Sequence, residues 1–198
     1  MSKTAALSVD QIADLFRKGL GTSLLDSRAQ TRAEGNKTRN LPFLWLTVEK
    51  NALKQAVALL KTVDYPFLAV ISGCDTGNQV ELLYHFFVYN TVPNAEISVT
   101  FKVPVPKTDL TVETIADLIP GAVFSEREKQ EFFGVKVLGI PDDRRLFLPD
   151  DFPQGLYPWR KDETGIPESM VNKLYLAGRE EAKCALNWRV KPKDEVGK

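Results

Sequence analysis

Cysteine and histidine are scarce in this sequence. It has two cysteines, Cys74 and Cys184, and one histidine, His85. Structural zinc sites and iron–sulfur clusters take about four Cys or His ligands at close spacing, which three scattered residues do not provide. His85 lies in an aromatic run, which favours a packed or edge-strand histidine over a catalytic triad. Two isolated cysteines are typical of a cytoplasmic protein with reduced, buried thiols.

Long apolar runs and an excess of one charge are also missing. No apolar stretch has the length of a membrane span, and the amino terminus lacks the apolar core of a signal peptide. We therefore expect a soluble chain that reaches a membrane only through a partner. Lys plus Arg (26) equals Asp plus Glu (26). Since proteins that bind nucleic acid generally have an excess of positive charge, we do not expect this chain to bind it.

Apolar periodicity predicts most elements of the first 121 residues. Ser8 and Gln11 form a capping box that begins a helix, and Gly19 ends it. The polar residues 26–40 predict a loop. Further along the chain we predict strands over 43–48, 67–72, 80–89 and 98–105, and helices over 53–60 and 112–119. The strand at 67–72 is apolar on both faces, which indicates a central strand covered on both sides.

This order of elements favours an α+β fold with a mixed or antiparallel sheet of about four strands, packed with helices. After residue 121 prolines become dense, since six of the 12 lie in the last 59 residues, and no strand-like alternation is visible. We therefore predict a core domain at 1–121 and a segment at 122–198 that becomes extended and proline-rich. Residues 168–184 could add one helix. The aromatic residues of this tail predict that it docks on a partner, because disordered tails contain few of them.

The part of the chain between residues 124 and 163 is dense in charge. It has 16 charged residues of 40, against 52 of 198 overall, and composition alone favours a solvated face. Ser125 and Glu128 predict a capped helix of about two turns that ends at Gly134 and needs tertiary contacts. The pairs Arg144-Arg145 and Trp159-Arg160 place guanidinium groups beside apolar side chains, a combination that is enriched at interfaces and favours binding.

Four short blocks in this stretch carry a resemblance to a known family. They are Glu-Arg-Glu at 126–128, Glu-Phe-Phe-Gly at 131–134, Asp-Arg-Arg-Leu at 143–146 and Pro-Trp-Arg-Lys-Asp at 158–162. In this order they resemble the signature of the thirty-kilodalton subunit of NADH–quinone oxidoreductase, which is respiratory complex I. The family includes the corresponding subunit of membrane-bound, energy-converting [NiFe] hydrogenases. The specific match covers about 40 residues, and one block alone would be weak.

The resemblance implies a subunit without a cofactor on the cytoplasmic side of the cell membrane. Its partners would be the hydrogenase-like or complex I large subunit, the iron–sulfur small subunit and the membrane-arm subunits. The Ni–Fe site, the iron–sulfur clusters or, in complex I, the flavin would lie in those partners. The residues carried over as interface or structural ion pairs are Glu126, Arg127, Glu128, Arg144, Arg145, Arg160, Lys161 and Asp162.

The departures from the complex I pattern favour the hydrogenase branch. This chain has Gly-Ile-Pro at 139–141 where complex I members usually have Gly-His-Pro, and its run at 149–158 resembles the hydrogenase-type relatives. The alternative is the thirty-kilodalton subunit of an NADH or related donor:quinone oxidoreductase. A remote alternative is a stand-alone enzyme that uses Glu126 and Glu128 as an acid and base pair. It is remote because residues two apart on a helix do not face each other.

Overall fold

The computed structural model describes residues 6–34, 39–167 and 170. In chain order its elements are α1 (Val9–Leu20), β1 (Leu24–Glu34), β2 (Arg39–Val48), α2 (Leu53–Val63), β3 (Phe67–Asp75), β4 (Gln79–Val88), β5 (Ile97–Pro106), β6 (Thr111–Glu113), α3 (Ala122–Phe133) and β7 (Lys136–Leu138). The predicted α+β fold is confirmed. The predicted helix at 168–184 lies outside the described residues.

One mixed sheet organises the fold. Its strands lie in the order β1-β2-β5-β4-β3, with β2 and β5 parallel and the other neighbours antiparallel. The sheet has five strands instead of about four because the prediction of a loop at 26–40 was wrong. Most of β1 lies in this stretch. Its residues are polar because β1 forms an edge of the sheet, where it pairs along its length with β2.

The position predicted for β3 was also wrong. The strand lies at the other edge of the sheet, where it pairs with β4, and several of its side chains are exposed. Ile71 faces the core, whereas the side chain of Val70 on the opposite face is exposed. The sequence of β3 is as apolar as that of a buried strand, but the described residues leave part of its surface exposed to solvent.

Helices α1 and α2 pack on one face of the sheet. The capping box at Ser8 is confirmed, with the Ser8 Oγ accepting from the backbone N–H of Gln11 at 3.3 Å. Phe16 of α1 meets Phe101 of β5 edge to face, with ring centroids 5.4 Å apart. Alternate residues of β2, β4 and β5 point to this face and are buried, which accounts for most of the core.

The predicted helix at 112–119 was wrong as well. Val112 belongs to β6, which pairs in parallel with β7 and sets Val112 opposite Val137. This pair is a non-local contact that local periodicity cannot predict. Phe133 and Val137, which follow the predicted boundary at residue 121, join the same core as the residues before it. The division into segments 1–121 and 122–198 stays a prediction.

Candidate docking surface

Helix α3 carries the first two sequence blocks. It has 12 residues and begins after Gly121, so the two-turn helix with Ser125 as its N-cap was a wrong prediction, and Ser125 lies within the helix. The predicted end at Gly134 is confirmed. Gly134 adopts φ +70°, and a Cβ there would lie 2.6 Å from the ring of Tyr157. A glycine is therefore required both by the backbone and by the closely packed tyrosine.

Glu126 points into the molecule. Its carboxylate accepts hydrogen bonds from the hydroxyl of Thr114 at 2.6 Å and from the backbone N–H of Ile115 at 2.8 Å. Burial raises the pKa of Glu126, and these two hydrogen bonds oppose that rise only in part. The residue fixes the segment after β6 against α3, which is a structural role within the chain.

Arg127 and Glu131 hold the loop after β7 against α3. The guanidinium of Arg127 donates to the carbonyls of Arg144 at 2.7 Å and Arg145 at 2.9 Å. The Glu131 carboxylate accepts from the backbone N–H groups of Leu146 and Phe147. One buried cation thus binds the carbonyls of this loop and one buried anion binds its N–H groups. The loop conformation is consequently fixed by helix side chains one turn apart.

The two arginines of the third block have different surroundings. Arg144 is 82% exposed and makes a bidentate contact with Asp142, with two N–O distances of 2.9 Å. The hydrogen bonds from Arg144 hold the pKa of Asp142 well below its usual value. Arg145 instead turns along its own loop and donates to the carbonyls of Pro149 and Phe152. Arg144 is therefore presented outward, while Arg145 shapes the loop.

A buried ion cluster anchors the fourth block. The Asp75 carboxylate, with 0% exposure, lies 2.9 Å from the Lys107 ammonium and accepts from the backbone N–H of Lys161 at 2.8 Å. Asp162 contacts the same ammonium at 2.5 Å and pairs with Arg160 at 2.9 Å. Arg160 is itself 7% exposed and lies 3.8 Å from Asp75. The cluster fastens residues 160–162 to the end of β3.

The electrostatics of this cluster favour its charged forms. Burial alone would raise the pKa of Asp75, but hydrogen bonds from Lys161 and Lys107 outweigh it and leave the pKa below its ordinary value. The hydrogen bond from Lys107 is the main reason that the pKa of Asp162 is also low. The sequence did not identify Asp75 and Lys107 as members of this cluster. Asp75 lies in a predicted turn, and Lys107 follows a predicted strand. These two residues are 32 positions apart, so no local sequence pattern predicts the 2.9 Å contact between their side chains.

Aromatic side chains cover the outer side of α3. Trp159 stacks on Phe132, with centroids 4.3 Å apart, and its backbone N–H donates to the Phe132 carbonyl at 3.0 Å. The Lys129 ammonium lies 4.7 Å from the centre of the Trp159 ring. Lys129 is buried, which lowers its pKa, and it pairs with the carboxylate of Glu128. Phe147 packs beside Phe132 but stays 61% exposed.

The eight residues predicted from the sequence thus divide into two groups. Arg144 and Lys161 are exposed. The six others are buried or partly buried and bond mostly within the chain: Glu126, Arg127, Glu128, Arg145, Arg160 and Asp162. We define the motif surface as the exposed residues Arg144, Phe147, Trp159 and Lys161. The six buried or partly buried residues hold the backbone around it. Its role as an interface stays a prediction.

The carboxylates of the remote enzyme hypothesis lie in different surroundings. Glu126 is bonded to Thr114 in the core, whereas Glu128 pairs with Lys129 beside the aromatic cluster. His85 lies in the interior strand β4, with Nε2 2.8 Å from the Ser72 hydroxyl and Nδ1 3.1 Å from that of Thr100. Burial lowers the His85 pKa. The prediction of a packed histidine agrees with these contacts.

Within residues 6–34, 39–167 and 170, no group of three or more His, Cys, Asp and Glu side chains could hold a metal ion. Over the same part of the chain, none of the helices combines the length and the apolar character that a membrane crossing requires.

Comparison with known proteins shows similarity to subunits of two kinds of complex. The chain is 34% identical over 142 residues to the membrane-bound hydrogenase subunit beta of Pyrococcus furiosus, covering 69% of this chain and 81% of that protein. It is 30% identical to NADH-quinone oxidoreductase subunit 5 of Thermus thermophilus, covering 76% of this chain and 75% of the relative. Formate hydrogenlyase subunit 5 of Escherichia coli is 34% identical to 60% of this chain, which spans 21% of that longer protein.

A solved structure shows the fold of this chain, and a family model shows its family. A chain of the membrane-bound sulfane sulfur reductase, an archaeal respiratory membrane complex, matches 95% of this chain and 98% of its own length. The TM-score is 0.64 and the sequence identity 21%, a likeness that shows the fold. The model of the 30 kDa subunit of respiratory-chain NADH dehydrogenase matches residues 46–168, which contain all four sequence blocks. The chain belongs to the family of the 30 kDa subunit of respiratory-chain NADH dehydrogenase.

Proposed function

We propose that this chain is a peripheral subunit, without a cofactor of its own, of a membrane-bound oxidoreductase complex, and that it docks on the large subunit through the motif surface. One observation carries the proposal. Buried ion pairs hold the backbone that carries the motif surface, and yet the two cations and two aromatic rings of that surface stay exposed. Stability of the isolated chain gives no reason to expose Phe147 and Trp159 together.

The composition of the motif surface suits a protein partner. Tryptophan and arginine are the residues that most often dominate binding energy, especially where surrounding contacts exclude water. Trp159 is held by its stacking on Phe132 and Arg144 by its bidentate bond to Asp142, so little side-chain freedom is lost on binding. Each of the two exposed cations can pair with a carboxylate on the large subunit, Lys161 through its ammonium and Arg144 through the guanidinium nitrogen that does not bond to Asp142.

The hydrogenase branch is our more specific proposal. It is supported by the similarity to the Pyrococcus hydrogenase subunit and by the sequence at 139–141 and 149–158. In such a complex the Ni–Fe site and iron–sulfur clusters would lie in the large and small subunits. The complex would transfer electrons between reduced ferredoxin and protons, coupled to ion translocation through its membrane arm. We propose that the chain lies on the cytoplasmic side of the membrane in such a complex.

The second candidate is the thirty-kilodalton subunit of an NADH or related donor:quinone oxidoreductase. It is favoured by the family model and by the similarity to the Thermus protein. Flavin and iron–sulfur clusters would then lie in partner subunits. The motif surface would serve the same docking role in either complex.

Purification from the native host in mild detergent tests the proposal. We expect a membrane-arm subunit and a large subunit to co-purify at equal stoichiometry with this chain. Nickel in that preparation and hydrogen evolution from reduced ferredoxin select the hydrogenase branch. Flavin and NADH oxidation select the second candidate. A chain that purifies alone from solubilised membranes and cytosol contradicts the proposal.

A further inference from the structure

Among the described residues, strand β3 has no strand neighbour on one side. It pairs there with β4 alone, at the end of the five-stranded order. Its nine residues span about 30 Å of extended backbone. Ala69, Val70 and Cys74 are exposed along it. An edge of this kind presents a row of main-chain donors and acceptors to whatever lies beside it.

The two edges of the sheet differ in how they are protected. The opposite edge, β1, has Asp26, Arg28, Arg32 and Glu34 along its length. Charges of this kind discourage pairing with another chain. In β3 no residue from Phe67 to Cys74 is charged, and none is proline. An apolar edge without such protection is expected to aggregate unless a partner pairs with it.

The side chains of β3 match a covered strand better than an edge. Phe67 is 55% exposed and Val70 is 44% exposed, both on the sheet face opposite to the helices. The continuous apolar run of β3 is typical of strands with neighbours on both sides and cover on both faces. The sequence therefore predicts a neighbour that the described residues do not supply.

Two grooves are lined in part by residues of β3. One, of about 470 Å³, runs along residues 70–75 and is closed by Lys129, Phe133 and Trp159. The other, of about 440 Å³, adjoins Phe67 and Leu68 and is closed by Tyr65 and Ile119. Side chains of an added strand would enter these grooves at alternate positions. Lys129 already has the Glu128 carboxylate as partner, so the first groove is suited to apolar side chains.

We propose that β3 pairs with an extended, mainly apolar segment of the large subunit, which becomes a sixth strand of this sheet. The inference rests on the proposed function. An extended segment can satisfy the unpaired N–H and C=O groups of a strand edge with its own main-chain groups, as happens when a peptide adds a strand to a sheet. The large subunit is the favoured source because Trp159 and Lys161 belong both to the motif surface and to the first groove. A subunit seated on the motif surface therefore lies next to β3.

Hydrogen exchange tests the inference on the purified complex and on the full-length chain alone. We expect the amides of residues 67–74 that point away from β4 to exchange at least about tenfold more slowly in the complex, with the amides that bond to β4 and those of β1 unchanged. Protection of the outward-pointing amides already in the isolated chain would assign the cover of β3 to this chain's own residues and overturn the inference. A complex with unprotected β3 overturns it while the proposed function stands. Failure to find any complex with a large subunit removes both.

Cys74 adds a probe at the same edge. In a Cys184→Ser background, a maleimide reagent is expected to label Cys74 in the isolated chain, where it is exposed, but not in the complex. Shielding of Cys74 without slower amide exchange would mean that a surface packs over β3 without pairing, which also overturns the inference. Both results come from one preparation, so complex formation is verified in the same sample.

Matched lysine substitutions at the two edges give a genetic test. Val70→Lys places a charge on the free edge, and Thr31→Lys places one on β1, at positions that are both exposed. We expect Val70→Lys to reduce the yield of the complex severalfold, with an unchanged circular dichroism spectrum of the isolated chain. Thr31→Lys is expected to leave the yield unchanged. Equal yields from the two variants would contradict strand addition at β3.

Discussion

Replacement of Asp75 tests whether the fourth sequence block is held by the buried ion cluster. In Asp75→Ala the Lys107 ammonium and the Arg160 guanidinium keep, among the described residues, only Asp162 as a carboxylate partner. The backbone N–H of Lys161 also loses its acceptor. Removal of one member of a buried ion pair costs about 3–5 kcal/mol. The remaining carboxylate and the partly exposed ammonium place the expected loss near the lower value, at about 3 kcal/mol.

Urea and thermal unfolding of the isolated chain measure this loss. For a chain of this size, about 3 kcal/mol lowers the melting temperature by about 6–12 °C. Asp75→Asn keeps the shape but not the charge, and should lose about half as much, because charge-assisted hydrogen bonds are about twice as strong as neutral ones. Asp14→Ala, which breaks an exposed pair with Arg17, is the control and should cost about 0.5 kcal/mol or less. A loss below about 1 kcal/mol for Asp75→Ala would refute the anchoring role.

Three further predictions concern pH and backbone conformation. Because the pKa of Asp75 is lowered on folding, its contribution is present above the unfolded value of 3.8 and is lost as pH falls; wild type should thus lose more stability than Asp75→Asn between pH 5 and 3 in urea titrations. Burial raises the pKa of Glu126, so its effect on the pH dependence of stability is opposite to that of Asp75. Wild type should gain stability as pH falls from 7 toward 5, and Glu126→Gln should abolish that gain in the same assay. Gly134→Ala, at φ +70° and against the Tyr157 ring, should cost at least about 2 kcal/mol by chemical denaturation, and a loss below 0.5 kcal/mol (about the ordinary surface value) would contradict the packing described.

Features that depend on neighbouring residues were predictable from the sequence. The capping box at Ser8 and the end of α3 at Gly134 need only residues within a few positions, and both are confirmed. The α+β class with a mixed sheet is likewise confirmed, since the order of apolar segments determines it. The start of α3 was missed because the capping pattern at Ser125 also fits a helix interior.

Errors arose where pairing across the chain decides the outcome. Polar β1 is a strand because β2 offers it a full set of hydrogen bonds, and Val112 is in a strand because it meets Val137. Local periodicity contains neither fact. The roles of Arg127 and Arg144 were not separable for the same reason. One arginine is buried against carbonyls of a loop that lies 17 residues away, and the other is exposed.

Charge reversal on the motif surface is the measurement that tests the central claim most directly. The double variant Arg144→Glu/Lys161→Glu changes two exposed side chains, and Lys18→Glu on α1 changes another exposed cation as its control. Each is expressed in the native host in place of the wild-type chain, and the large subunit recovered with it is quantified by mass spectrometry. We expect the double variant to recover at least about tenfold less large subunit than the control. Since the pair that Arg144 makes with Asp142 is exposed, the double variant should cost the isolated chain only about 1 kcal/mol, which lowers its melting temperature by about 2–4 °C. Equal recovery of the large subunit by the two would contradict docking through this surface.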